Sequence, residues 1–275
     1  MQPYTTDFAR VYDILMDHIP YEDWAVYIGK LLNKSNINSG IVLELGCGTG
    51  IMTRRLAKKG FDMIGIDTSE EMLSIARELK GAGNDDILYL CQDMREFELY
   101  GTVSAVICVC DSMNYMLEEE DLLKVFRLVN NYLDPGGLLI FDMDTPYAFE
   151  EVMGDTTFAM NREEGSFIWE NTFYPEEMIN EVNLTLFIPQ EEGLFQKVEE
   201  THVRKAYTIE KIKQLIEKAG MEWVAVYDEL SEEEPQADSE RVYILAREKY
   251  HADKLYVSKG EVERKIVFTP EEPRI

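Results

Sequence analysis

A run of apolar residues followed by three closely spaced glycines constrains this chain more than any other feature. Residues 41–45 are apolar or β-branched except for one acid, which predicts a buried strand. Gly46, Gly48 and Gly50 then form a turn that favours residues without a Cβ, and residues 51–59 have a helical pattern. A strand, a glycine-rich turn and a helix place backbone N–H groups at the carboxyl end of a sheet, where open α/β sheets bind their ligands.

The spacing of these glycines does not fit a dinucleotide-binding loop. The G-x-G-x-x-G pattern counted from Gly46 and Gly48 requires a glycine at position 51, which is Ile51. The strand also carries a carboxylate, Glu44, near its end, which suits a ligand with a positive centre rather than a pyrophosphate. A nucleotide-dependent oxidoreductase is therefore a disfavoured alternative.

Strands and helices alternate along the first half of the chain. The fold class is therefore α/β, with a Rossmann-like, doubly wound and mostly parallel sheet of seven strands. The predicted strands cover residues 41–45, 62–67, 87–91, 105–110, 138–143, 221–227 and 241–246.

Residues 166–207 break this alternation with stretches of period two, which predict an antiparallel β insertion after the fifth strand. Insertions of this length usually cap a site or form an interface. The aromatic and histidine side chains of Trp169, Phe173, Tyr174 and His202 are candidates to line a substrate pocket, although packing alone would also explain each of them.

Acidic residues stand at the ends of three predicted strands. Glu44 and Asp93 belong to the first and third of these strands, and Asp67 to the second. A carboxylate in the position of Asp67 can accept both hydroxyls of a ribose, as in nucleotide-binding dehydrogenases, so this acid alone indicates a ribose and not one cofactor. The three acids together are the more specific signal.

The segment Glu44-Leu-Gly-Cys-Gly-Thr-Gly50 resembles the first motif of the class I S-adenosylmethionine-dependent methyltransferases. Their cofactor is a sulfonium cation with an ammonium group, and these positive charges are opposite to the negative charge of the Glu44 carboxylate. The resemblance covers roughly residues 40–145 and implies an enzyme that uses S-adenosylmethionine. Family members that methylate nucleic-acid amines have an Asn- or Asp-Pro-Pro-aromatic turn after the fourth strand, and Asp111-Ser-Met-Asn-Tyr115 lacks its prolines. The resemblance therefore points to the small-molecule, N-methyltransferase-like branch.

The same resemblance assigns roles to individual residues. Tyr12, in Ala9-Arg-Val-Tyr12-Asp13, approaches the methyl donor, Met72 packs near the adenosine, Asp93 receives the adenine amino group and Met94 flanks the ring. Packing on an apolar helix face would explain Tyr12 and Met72 equally well. The predicted cofactor-binding residues are Tyr12, Glu44, Gly46, Cys47, Gly48, Gly50, Asp67, Thr68, Met72, Asp93, Met94, Asp111 and Asn114.

Three residues are candidate catalytic groups: Tyr12, Asp111 and Tyr115. Asp111, Asn114 and Tyr115 follow the fourth strand, where they would contact the methionine moiety or the substrate, and helix capping by Asp111 is the alternative. Histidines are scarce, three in the chain, which favours transfer to a nitrogen by positioning over transfer to a hydroxyl that needs a base. We expect methyl transfer to a small molecule by in-line displacement. A non-catalytic S-adenosylmethionine-binding regulator is the alternative.

Charge limits the partners. The chain has 53 Asp and Glu against 27 Lys and Arg, a formal net charge of −26, and no basic patch is visible. Such a field repels phosphate backbones and anionic membranes, so we expect a small-molecule substrate and no nucleic-acid or membrane partner, although solubility alone would also explain the charge. The sequence lacks a signal-peptide pattern and a long apolar run, so we expect a cytoplasmic protein.

The four cysteines lie in or beside predicted buried strands, so we expect reduced core thiols. Cys108 and Cys110 form a C-x-C pair without a second pair or a histidine nearby, and no metal site is expected.

Four regions are predicted. Residues 1–38 form helices over the cofactor pocket, and residues 39–147 and 207–249 form the methyltransferase-like core. Residues 148–206 are the insertion, which we expect to act as a substrate cap or as the interface of a homodimer. Residues 250–275 are a C-terminal extension to which the family pattern does not extend.

Overall fold

The computed structural model describes residues 9, 12, 13 and 16 and the ranges 19–79 and 86–249. Most of residues 1–18, within the helical region expected over residues 1–38, and all of the extension from residue 250 fall outside these ranges, so the expectations there stay predictions. Within the described ranges, no helix is long and apolar enough to cross a lipid bilayer.

In the described part of the chain, strands and α-helices alternate up to β5, except that no α-helix separates β3 from β4, and the remaining strands follow with one α-helix among them. The helices are α1 (Tyr21–Lys34), α2 (Ile51–Lys58), α3 (Glu70–Glu78), α4 (Glu119–Tyr132) and α5 (Ile209–Lys218). The strands are β1 (Ile41–Leu45), β2 (Asp62–Asp67), β3 (Leu88–Cys91), β4 (Val103–Cys108), β5 (Leu133–Asp144), β6 (Thr157–Asn161), β7 (Ser166–Tyr174), β8 (Ile179–Pro189), β9 (Phe195–Lys205), β10 (Glu222–Asp228) and β11 (Arg241–Arg247).

Seven strands form the main sheet in the order β3-β2-β1-β4-β5-β11-β10. All neighbours are parallel except β11, which runs antiparallel to both β5 and β10. The predicted fold class is thus confirmed. The strand order reverses direction between β1 and β4, and ligands of open α/β sheets bind outside the carboxyl ends of the strands at such a switch point.

The main sheet is buried on both faces, which explains why its central strands are almost continuously apolar. On β1, Val42 packs in the apolar cluster of α1, α2 and α3, while its neighbour Leu43 packs in the cluster of α4 and α5. Because successive strand residues point to opposite faces, one short strand joins the two halves of the core.

The insertion is a second, antiparallel sheet of four strands in the order β6-β7-β8-β9. The sequence predicted three of them, and β6 was missed because Thr157–Asn161 is short, polar at both ends and mostly exposed. The apolar face of β8 is buried with Ala9 of the N-terminal segment and Met72 of α3, in a cluster that includes Val182, Leu184 and Leu186. This cluster joins the second sheet to α3 and to the N-terminal segment.

Two local predictions need correction. Strand β4 ends at Cys108 and not at Cys110, because both Cys110 and Asp111 have a positive φ. Cys91 is exposed on the edge strand β3 and is not a core thiol. Helix α3 is capped by Ser69, whose Oγ accepts the N–H of Met72 at 3.2 Å.

Candidate active site

The carboxyl ends of β1, β2 and β3 bring the three predicted acids, Glu44, Asp67 and Asp93, to one cavity, the donor cavity. It has a volume of about 230 Å³. Ten of the predicted cofactor-binding residues line it: Tyr12, Glu44, Gly46, Cys47, Gly48, Asp67, Thr68, Met72, Asp93 and Met94.

The glycine-rich turn has the conformation that its sequence predicts. Gly46, Gly48 and Gly50 all have a positive φ, at 68°, 52° and 75°. A Cβ on Gly50 would lie 2.3 Å from the Tyr89 hydroxyl, and a Cβ on Gly46 would lie 2.8 Å from the hydroxyl of Ser112, so both positions exclude a side chain. A Cβ on Gly48 would meet nothing within 4 Å, which leaves the backbone there open to the cavity.

Glu44 is a buried acid on the wall of the donor cavity, with 2% of its surface exposed. The hydroxyl of Thr53 on α2 donates a hydrogen bond to its carboxylate. Burial raises the pKa of Glu44 to about 8, and the nearby Asp67 adds to this effect. A carboxylate in such surroundings is stabilised by a cation that enters the cavity.

Asp67 is held by the backbone of two neighbouring turns. Its Oδ2 accepts the N–H of Gly48 at 2.8 Å, and its Oδ1 accepts the N–H of Ser69 at 2.9 Å. Burial raises the pKa of this carboxyl, while these hydrogen bonds oppose the effect. Each oxygen keeps a further lone pair, so the carboxylate can still accept the two hydroxyls of a ribose.

Asp93 is oriented by an ion pair at the mouth of the cavity. The guanidinium Nε of Arg95 lies 3.0 Å from both of its carboxylate oxygens, and Arg95 also reaches Asp121 of α4 at 3.2 Å. The hydrogen bonds from Arg95 lower the pKa of Asp93, which therefore stays an acceptor at neutral pH.

The N-terminal segment reaches the donor cavity through two adjacent residues. Tyr12 lines the cavity, and the carboxylate of Asp13 accepts the hydroxyl of Thr49 at 2.6 Å, which ties the segment to the glycine-rich turn. At the start of α1, Tyr21 lines the same cavity.

A second cavity of about 520 Å³, here called the acceptor cavity, lies between the main sheet and the insertion. It shares Tyr12, Cys110 and Tyr115 with the donor cavity, so the two spaces meet at these side chains. Trp169 and His202 of the insertion line it as expected, whereas Phe173 and Tyr174 do not. Its volume is within the usual range for small-molecule sites.

Three aspartates and two arginines form a buried cluster at the polar end of the acceptor cavity. Arg204 of β9 lies 2.7 Å from Asp111 and 3.3 Å from Asp144. Arg241 of β11 lies 2.6 Å from Asp142, 2.9 Å from Asp144 and 3.5 Å from Asp111. Burial raises the pKa of Asp144 to about 6. The cluster joins both sheets to the turn after β4.

That turn is strained and held by a buried carboxylate. Cys110 and Asp111 both have left-handed backbones, with φ of 64° and 51°, which costs each non-glycine residue roughly 1–2 kcal/mol. The carboxylate of Asp142 compensates by accepting the N–H of Cys110 at 3.1 Å and of Asp111 at 2.9 Å. In this backbone conformation Asp111 lines the acceptor cavity.

Three of the predicted cofactor-binding residues do not line the donor cavity. Gly50 lies in the turn against the side chain of Tyr89 and does not line the cavity. Asp111 lines only the acceptor cavity. Asn114 lines neither, because its amide bonds the backbone of Asp144 at 3.0 and 3.2 Å and the carbonyl of Lys205 at 2.8 Å. Asn114 is fully buried and joins the turn after β4 to both sheets.

Sequence reasoning missed the two arginines of the cluster. Arg204 and Arg241 lie in strands that were predicted from the alternation of their apolar residues. The neighbouring sequence does not indicate that either arginine is buried. The available signal was on β9, where Glu200, His202 and Arg204 recur at the spacing of two that places them on one face.

The donor cavity fits S-adenosylmethionine. A bare backbone loop, a buried acid for the ammonium and an acid for the ribose line one space, which opens beside Tyr12 to a second cavity suited to an acceptor. The cofactor supplies a methyl group already activated on sulfur, so the residues of this chain need to position the acceptor and exclude water.

The chain belongs to the class I S-adenosylmethionine-dependent methyltransferases. The family described as "Methyltransferase domain" matches residues 42–137. The chain is 36% identical over 241 residues to YqeM of Bacillus subtilis (strain 168), whose name describes a methyltransferase; the match covers 87% of this chain and 95% of YqeM.

Two further relatives extend the comparison. The crystal structure of an S-adenosylmethionine-dependent methyltransferase from Clostridium acetobutylicum ATCC 824 superposes with a TM-score of 0.80 at 27% identity, covering 89% of this chain and 98% of that one. A shorter match, 30% identical over 154 residues, is to dTDP-3-amino-3,4,6-trideoxy-alpha-D-glucopyranose N,N-dimethyltransferase of Streptomyces venezuelae; it covers 55% of this chain and 62% of that enzyme. The predictions of a methyltransferase and of its cofactor are thus confirmed.

Proposed function

We propose that the protein transfers the methyl group to a nitrogen of a small molecule that binds in the acceptor cavity. The observation that carries this proposal is the charge at the polar end of that cavity. The cluster contains three carboxyl groups, those of Asp111, Asp142 and Asp144, for two guanidiniums, so its acids outnumber its cations by one. The ammonium form of an amine, bound beside Asp111 or Asp144, supplies the missing cation.

The walls of the acceptor cavity indicate the rest of the substrate. They are mostly apolar and come from the insertion, the N-terminal segment and the turn before β6, with Met16, Val152, Phe158, Phe167, Trp169 and Leu186 among them. A cavity of this lining takes a molecule with an apolar body, larger than a simple amino acid. The N,N-dimethyltransferase from Streptomyces venezuelae, named for an amino-sugar substrate, supports nitrogen as the acceptor atom.

The predicted site residues are part of the proposal. The ten that line the donor cavity hold the cofactor, and Tyr12 and Tyr115 stand between donor and acceptor. Asp111 binds the substrate ammonium, while Asn114 acts only by holding this turn in place.

The insertion, in this proposal, is the cap over the substrate. The net charge of −26 supports a small-molecule substrate over nucleic acid. A homodimer through the insertion stays a prediction, which analytical ultracentrifugation tests.

The test compares amines with their hydroxyl counterparts. The purified protein is incubated with S-adenosylmethionine and 2-phenylethylamine, 2-phenylethanol, glycine or a dTDP-linked amino sugar, and formation of S-adenosylhomocysteine is measured. We expect turnover of at least one amine with an apolar body, at least tenfold above the alcohol, and an increased KM for that amine in Asp111→Asn. Turnover of hydroxyl acceptors alone would refute the proposal.

A further inference from the structure

Tyr115, His202 and Glu200 form a chain of polar side chains that extends from the meeting point of the two cavities into the insertion. The Tyr115 hydroxyl lies 2.9 Å from Nδ1 of His202, and Nε2 of His202 lies 3.4 Å from a carboxylate oxygen of Glu200. His202 and Glu200 are 2% and 3% exposed. Trp169 stacks on the imidazole, with an interplanar angle of 9°.

The relay needs one tautomer of His202. With the proton on Nε2, the nitrogen 3.4 Å from the carboxyl of Glu200, Nδ1 has a lone pair and can accept the hydroxyl of Tyr115. A carboxylate behind an imidazole in this way also stabilises the imidazolium that forms when Nδ1 takes a proton.

Four charged side chains line the acceptor cavity together with His202: those of Asp111, Asp144, Arg204 and Arg241. They pair with one another. The carboxyl of Glu200 is the acidic group that contacts the imidazole, at 3.4 Å.

We propose that Tyr115, His202 and Glu200 are a proton relay that takes the proton of the acceptor during methyl transfer. This inference rests on the proposed function, because an amine bound as an ammonium must lose a proton before it can attack. The proton passes to the oxygen of Tyr115 while the hydroxyl proton of Tyr115 moves to Nδ1 of His202. The nitrogen lone pair then forms the N–C bond as the C–S bond breaks, and sulfur keeps that electron pair. The imidazolium, opposite Glu200, returns its proton to water when the product leaves.

In this relay Tyr115 is the catalytic residue, because it lines both cavities and contacts the acceptor. His202 and Glu200 act through it as positioning residues.

Nitrogen-15 NMR of the histidine rings tests the relay without any acceptor. The full chain has three histidines, so three ring systems are observed with S-adenosylhomocysteine bound, and His202→Gln identifies the signals of His202. We expect a protonated Nε2 and an unprotonated Nδ1 in the wild-type protein, and a changed ratio of the two tautomers in Glu200→Gln. Glu199→Gln, an exposed neighbour on the same strand that pairs with Lys197, is the matched control and leaves this ratio unchanged.

Kinetics then test the function, with whichever acceptor the panel of amines and alcohols identifies. Glu200→Gln and His202→Gln should lower kcat by about 10²-fold, with the KM for S-adenosylmethionine changed less than about twofold. Thermal melting and cofactor affinity establish that each variant is folded.

A protonated Nδ1 in the wild-type protein would overturn the relay, as would wild-type kcat in both variants. Neither result bears on whether nitrogen is the acceptor atom. Conversely, turnover of alcohols alone would refute the proposed amine acceptor and leave the NMR result to decide the relay.

Discussion

Alanine substitutions at two glycines of the same turn should have different consequences. Gly48 and Gly50 both have a positive φ, so an alanine at either costs roughly 1–2 kcal/mol of stability. At Gly50 the new Cβ would also lie 2.3 Å from the hydroxyl of Tyr89 and 2.9 Å from its ring, and such overpacking adds about 1–3 kcal/mol. We therefore expect a stability loss of about 2–5 kcal/mol for Gly50→Ala and of only about 1–2 kcal/mol for Gly48→Ala.

Cofactor affinity should fall in Gly48→Ala, although this variant is expected to lose less stability than Gly50→Ala. The Cβ of Gly48→Ala has no protein atom within 4 Å and enters the space of the donor cavity. We expect at least a tenfold loss of affinity for S-adenosylmethionine, which corresponds to about 1.4 kcal/mol. Gly60→Ala is the control, because Gly60 has a φ of 97° and open surroundings but lies on an exposed turn away from the cavity. It should lose as much stability as Gly48→Ala and no affinity.

The two quantities are measured by thermal melting and by titration calorimetry. For a chain of this size, 1 kcal/mol corresponds to a Tm change of about 2–4 °C. Wild-type affinity in Gly48→Ala, together with the expected Tm loss, would show that this turn does not face the cofactor. Equal Tm losses in Gly48→Ala and Gly50→Ala would refute the role assigned to Tyr89.

The remaining predictions concern buried charges. Since burial raises the pKa of Glu44 to about 8, this carboxyl is protonated between pH 5.5 and 7, and binding of a cationic ligand should release its proton. Calorimetry in buffers of different ionisation enthalpy should detect about one proton released per cofactor, with affinity falling about tenfold for each pH unit lost, and neither effect in Glu44→Gln. Arg204→Gln leaves the three aspartates of the cluster with Arg241 as the one guanidinium of the cluster and should cost about 3–5 kcal/mol by denaturant unfolding. Lys197→Gln, which removes an exposed pair on the same strand, should cost less than about 1 kcal/mol; equal losses would refute the importance of the cluster.

The donor side of the site could be predicted because its signals are local. The chemistry of the first strand and turn is contained in ten consecutive residues, and Asp67 and Asp93 each follow an apolar strand. Parallel strands bring such positions to one edge of the sheet whatever the rest of the chain does. Glu44, Asp67 and Asp93 accordingly line one cavity.

The acceptor side could not be predicted in the same way, because its residues act through contacts between distant parts of the chain. Asn114 stands in the predicted segment, yet its amide joins backbone groups of β5 and β9 and lines no cavity. Arg204 and Arg241 are surface residues by type and are buried only because Asp111 and Asp144 face them from other strands. The resemblance to the family is loose in this part of the chain and gave no substitute for these contacts.

Strand β9 departs from the usual pattern of a half-buried strand in a way that has a functional meaning. Its inward face carries Glu200, His202 and Arg204, whereas Thr201 is exposed on the outward face. A strand that packed only for stability would place its apolar residues inward, as the neighbouring β8 does.

The pairing of the two strands shows how the insertion combines these roles. His202 is paired with Val182 and Glu200 with Leu184, so an apolar row and a polar row lie side by side on one face. The apolar row of β8 holds the insertion against the N-terminal segment and α3, and the polar row of β9 faces Tyr115 and Asp111. Because local rules of patterning are broken mainly at functional sites, the polar row is where we locate the recognition and deprotonation of the acceptor. It follows that substitutions on the inward face of β9 should change the acceptor reaction without changing cofactor affinity, which depends on the main sheet.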